Sequence, residues 1–120
     1  MSESNLAVSV EVLEKITEMA ALEIEGVEKL SKKNIDLKYA IKSGNAFKGV
    51  KVESINDMFC ITVYICLTGD AIANEVALKV QNVVKERVQT MTGTAVTKVN
   101  VVIADVCVED SQANIQENEA

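Results

Sequence analysis

A chain of 120 residues fits one domain, and at that size folding buries roughly two-thirds of the unfolded surface. A formal net charge of −6 removes the basic face that a phosphate-backbone binder needs, and 3% aromatics leave no stacking platform for single strands, so no nucleic-acid partner is expected. There is no histidine, which takes away the commonest general base and the commonest metal ligand and excludes Ser–His, Cys–His and zinc hydrolysis in their usual forms.

The opening Met1-Ser2-Glu3-Ser4-Asn5 is polar and acidic, without the basic flank and apolar stretch of a signal peptide. No apolar run approaches the length that spans a bilayer. A flexible N-terminus over residues 1–6, a cytoplasmic location and no direct membrane insertion are therefore expected. Ser9 is a plausible helix N-cap, with Glu11 placed for the helix dipole. Leu13, Ile16, Ala20, Ile24 and Val27 recur at spacings of three and four, one apolar stripe of a first helix that Gly26 should end near residue 25.

Between Ser31 and Phe47 the pattern is ambiguous. Ile35 to Lys42 alternates weakly, as an edge strand or a short helix would, and Ser43-Gly44-Asn45 signals a turn. Lys32, Lys33, Lys38, Lys42, Lys48 and Lys51 concentrate basic charge here, either toward an acidic partner or an anionic membrane surface, or as edge lysines that block aggregation.

Gly49 to Glu53 reads as a strand, and Ile55-Asn56-Asp57 turns into a second one, giving an antiparallel hairpin. From Met58 to Thr68 the residues alternate: Phe59, Ile61, Val63, Ile65 and Leu67 form a wholly apolar face, and Met58, Cys60, Thr62, Tyr64 and Cys66 a mixed one. Asp70 should cap a second helix over about Ala71 to Met91, whose stripe is Ala73, Ala77, Val80, Val84, Val88 and Met91, widened by Ile72, Val76 and Val83. Gly93 stops it. A last strand starts near Ala95, with Val99, Val101 and Ile103 on one face and Lys98, Asn100, Val102 and Ala104 on the other. From Glu109 the chain is acidic and polar, and residues 109–120 are expected to be a disordered tail.

The expected fold is α+β: helix, strand, strand, helix, strand, with two helices on one face of a small mixed sheet. The absence of a secretion signal implies free thiols. Cys60 and Cys66 share a strand but stand ~20 Å apart, and Cys107 has no Cys-x-x-Cys companion, so the cysteines read as packing residues rather than metal ligands. Neither catalytic residues nor a cofactor or metal site can be assigned. What remains is the sheet face away from the helices. There Met58, Thr62, Tyr64, Lys98, Asn100, Val102 and Ala104 make a semi-apolar surface with a polar border, a candidate interaction surface and the expected seat of self-association.

Val10-Glu11-Val12-Leu13-Glu14-Lys15-Ile16, Ala20-Ala21, Glu25-Gly26-Val27 and Lys48-Gly49-Val50-Lys51-Val52-Glu53 follow one another in a familiar order and spacing. The series continues through the helix Ile72 to Met91 and through Met91-Thr92-Gly93, Val96, Val99-Asn100-Val101, Ile103 and Asp105-Val106. In these segments the chain resembles the alkaline shock protein family over a domain of residues 7–108. The resemblance implies a bacterial protein that works by association rather than catalysis, in the envelope stress response or in lipid homeostasis. It also implies a membrane-anchored partner protein for some members, which would hold the chain at the membrane periphery. The family carries no agreed ligand residues. Two other classes stay open: a small regulator that binds a fatty-acid or acyl-CoA precursor, and a carrier like the small iron–sulfur assembly domains, which share this element order but need clustered thiolates.

Overall fold

Met58–Thr68 is the strand around which the sheet is arranged, because among the described residues it alone has partners on both edges. The structure is a computed structural model that describes residues 8–31, 49–56 and 58–107. In chain order the elements are α1 (Val10–Leu22), β1 (Val27–Leu30), β2 (Val50–Ile55), β3 (Met58–Thr68), α2 (Ala73–Thr92) and β4 (Val96–Cys107). One edge of β3 is shared: β2 pairs antiparallel with its first half, from Ile55↔Met58 to Val50↔Val63, and β1 with its second, from Leu30↔Ile65 to Val27↔Leu67. The two short strands meet at Tyr64, whose carbonyl accepts from the Ser31 amide at 2.8 Å while its own amide donates to the Gly49 carbonyl at 2.8 Å. On the other edge β4 runs parallel to β3. The sheet is mixed and the fold is α+β, as expected from the sequence.

Both helices cover one face. Ile61, Val63, Ile65 and Leu67 of β3, Val50 and Val52 of β2, and Val96 and Val99 of β4 form one core with Leu13, Ile16, Ala20 and Ala21 of α1. The contribution of α2 is a ladder of four buried valines, Val76, Val80, Val84 and Val88, each one turn from the next. Full burial of each stabilises by roughly 1.5–3 kcal/mol. Met91 and Ile72, assigned to this stripe from the sequence, stand 62% and 60% exposed. A spacing of four drifts slowly around a helix of 3.6 residues per turn, so the buried ladder runs obliquely and leaves both ends outside it.

Ser9 caps α1 as expected, its hydroxyl accepting from the Val12 amide at 3.2 Å. The helix ends at Leu22, earlier than its periodicity suggests, because Val27–Leu30 is drawn into the sheet as a strand that the sequence reading did not contain. Four residues with one buried position carry too little periodicity to separate a strand from a helix end. Gly26, at φ +104°, makes the turn, and a Cβ there would stand 2.6 Å from Val76 Cγ2. At α2 the expected Asp70 cap is not used. The N-cap is Ile72, without a side-chain bond, and Asp70 instead accepts from the Thr68 hydroxyl at 3.0 Å. Gly93 ends α2 in the left-handed conformation, its amide donating to Gln89 O at 2.9 Å. The lysine-rich segment, the expected flexible N-terminus and the expected acidic tail lie outside the described residues, save for Ser31, Gly49 and Lys51 at the borders of the first.

Candidate interaction surface

On the face of the sheet turned from the helices, register places Lys51, Thr62 and Asn100 in one row across β2, β3 and β4. Asn100 Nδ2 lies 3.5 Å from Thr62 Oγ1 and 3.6 Å from Cys60 Sγ, which ties β4 to β3 on this side. A row further along, Tyr64 stands beside Val102, and beyond it Cys66 lies between Lys29 of β1 and Asp105 of β4.

The expectation that this whole face is open does not hold at its centre. Thr62 is 8% exposed and Tyr64 5%. Strand β3 is flanked on both edges, and the Lys51 side chain beside Thr62 is itself only 15% exposed. Thr62 and Tyr64 are interior residues and present no surface to a partner. Met58 at 38% and Lys98 are exposed, while Asn100, Val102 and Ala104 are half-buried. The accessible part of the candidate surface is thus Met58 at the start of β3 together with Lys98, Asn100, Val102 and Ala104 of β4.

That strand carries two irregularities. Register shifts between Phe59↔Val96 and Cys60↔Lys98, and again between Ile65↔Ile103 and Cys66↔Asp105, each insert one extra residue, Thr97 and Ala104. The second has a chemical consequence. By strict alternation Cys107 belongs with Val101 and Ile103 against the helices, but the extra residue turns it to the other face, where it forms a disulfide with Cys66 across a Cα–Cα distance of 6.1 Å. The expectation of three free thiols is corrected to one, Cys60. With Cys66 and Cys107 bonded to each other, the chain has no set of thiolates for a cluster, and the iron–sulfur carrier reading falls.

Elsewhere the chemistry is sparse. A shallow cavity of about 240 Å³ opens beside the first turn of α2, lined by Glu25, Thr68, Asp70, Glu75 and Lys79 with apolar groups between them. It has carboxylates but no nucleophile paired with a base. On the helix layer Arg87 of α2 holds Glu23 beyond α1 with both guanidinium arms, at 2.7 and 2.9 Å. These hydrogen bonds keep the Glu23 carboxyl below the usual carboxylate range. Among the described residues no helix is long and apolar enough to cross a membrane.

The described residues form a two-layer α+β domain, and no group of metal-ligating side chains is assembled among them. The chain belongs to the alkaline shock protein 23 family, whose function is described as cell envelope-related and whose model matches residues 1–108. Its fold is similar to that of two solved variants of MamM-CTD. Each is 10% identical to it, with a TM-score of 0.51, over 81% of this chain and 98% of theirs. A third variant gives a TM-score of 0.50 at 10% identity, over 84% of this chain and 100% of its own. At that identity the likeness speaks for the fold alone.

Proposed function

We propose that this chain is a non-catalytic association protein that serves the cell-envelope stress response or lipid homeostasis. The observation that carries this reading is the family match over residues 1–108, with its envelope-related function. Supporting it, the accessible apolar groups of the sheet, Met58, Val102 and Ala104, sit beside Lys98 and Asn100 in a patch of mixed character suited to protein contact. The chain binds a second copy of itself and, under stress, a membrane-anchored protein.

Removal of the gene from its native host tests the reading. Cells lacking it are expected to grow normally without stress, to fail under alkaline or cell-wall stress, and to recover when the wild-type chain is resupplied. Mutant cells that withstand envelope stress as the parent does would contradict it. A regulator of lipid precursors would instead shift its melting temperature with long-chain acyl-CoA.

A further inference from the structure

Resting on the association reading above, we infer that the outer side of α1 receives an amphipathic helix of a partner protein, one whose apolar stripe is bordered by lysine or arginine. The inner side of α1 supplies Leu13, Ile16, Ala20 and Ala21 to the core. Yet Val12, Met19 and Leu22 stand 46%, 53% and 45% exposed. Single apolar residues scattered on a surface are ordinary, but these three are aligned. Seven residues make nearly two whole turns, so Met19 lies within about 20° of Val12 around the helix, and Leu22 follows one turn on. The stripe is about 15 Å long, room for roughly three turns of a facing helix. Lys15 falls within it, but its ammonium is drawn aside to Glu18 at 3.8 Å, and its methylenes add to the apolar surface.

Charge selects the occupant. The ionisable side chains of α1 are Glu11, Glu14, Lys15 and Glu18, and three carboxylates against one ammonium leave the helix at −2 in a chain of net charge −6. The glutamates recur at spacings of three and four, so they form one row along a single border of the stripe. Glu14 is engaged within the molecule and Glu18 holds Lys15, so these two contribute through the field of the row. Glu11, exposed in the first turn, is placed to meet a partner's cation directly. A second copy is a poor occupant, because two α1 helices packed antiparallel about a two-fold axis lay one glutamate row against the other. An anionic membrane surface is repelled by the same charge. A helix with an apolar stripe and basic borders complements both the stripe and the row.

The probe is a blocked peptide of about 18 residues, long enough to hold a helix, with leucines at spacings of three and four and lysines beside them. A twin carries glutamate for every lysine, and both are titrated with the full chain in fluorescence anisotropy. Wild type is expected to bind the lysine peptide at least about tenfold more tightly than the twin, with the difference shrinking in about 0.5 M salt. Met19→Lys should weaken binding of the lysine peptide by about tenfold, and Glu11→Lys by about threefold. Equal binding of the two peptides, or a Met19→Lys chain that binds as wild type does, would overturn the surface. So would a Met19→Lys chain that loses self-association, since a second copy would then hold the stripe. Should a variant fail to fold, amide shifts of the wild-type chain still decide. The lysine peptide must move those of Val12, Met19 and Leu22, and shifts confined to Met58, Val102 and Ala104 would exclude α1. The stress phenotype tests the association reading separately, and that reading survives each of these failures.

Discussion

Arg87 and Glu23, sixty-four residues apart in sequence, form a two-armed ion pair that joins α2 to the end of α1. Arg87 is the sole arginine, and a guanidinium fork matches a carboxylate where an ammonium would not. Its hydrogen bonds depress the Glu23 carboxyl and raise the guanidinium. A carboxylate depressed in the folded state stabilises the fold above its ordinary value of 4.5, and that contribution is lost as pH falls through the folded value. Both groups face solvent, so the effect is small and screened by salt. Thermal melts of Arg87→Ala should fall slightly below wild type at neutral pH, with the gap closing in acid and in about 0.5 M salt. A gap that is equal at neutral and strongly acidic pH would show that the arginine acts through packing alone.

Thr17 is fully buried in α1, and among the described residues its hydroxyl has no hydrogen-bond partner. An unsatisfied buried hydroxyl costs more than the methyl that would replace it. Thr17→Val should therefore stabilise the protein by about 1 kcal/mol in urea unfolding, with an unchanged slope. A clear loss of stability would mean that the hydroxyl is satisfied in solution.

Gly26 is constrained twice, by a φ of +104° and by Val76 Cγ2 at 2.6 Å from where a Cβ would stand. Gly26→Ala should cost about 1–3 kcal/mol. Trimming the opposing group, as in Gly26→Ala with Val76→Ala, should relieve the clash but not the backbone strain. Destabilisations that simply add in the double variant would refute the contact.

The Cys66–Cys107 disulfide closes a segment of 41 residues that contains the whole of α2. Chain-entropy arguments put its stabilisation at about 4 kcal/mol. Under non-reducing conditions a thiol reagent should label Cys60 only, and reduction should lower the melting temperature. Labelling at all three cysteines in unreduced protein, with no change of melting temperature on reduction, would place the two sulfurs apart in solution.

The long elements were legible in the sequence because each carries enough periodicity to fix its type. The alternation of Met58 to Thr68 fixed β3 to the residue, and Ser9 and Gly93 marked two helix ends. What escaped was local and tertiary. Strand β1 is too short to announce itself, and Asp70 makes a bond to Thr68 in place of a cap. The candidate surface was half legible. Parity correctly separated Lys98, Asn100 and Val102 from the helix side, but alternation tells which face a side chain takes and not how deeply it is buried there, so Thr62 and Tyr64 read as surface when they are interior. Tyr64→Asp would therefore disturb folding rather than probe association. The bulge at Ala104 was equally invisible, and with it the meeting of Cys66 and Cys107.

The central claim, that the chain acts by association at the cell envelope, is tested most directly by chemical cross-linking in intact native cells under envelope stress, followed by separation of membranes from soluble protein. The account predicts cross-linked species containing two copies of the chain, part of them travelling with the membranes and released when membrane-surface proteins are trimmed by protease. A chain that stays soluble and migrates as a 13.0 kDa monomer before and after cross-linking would contradict it.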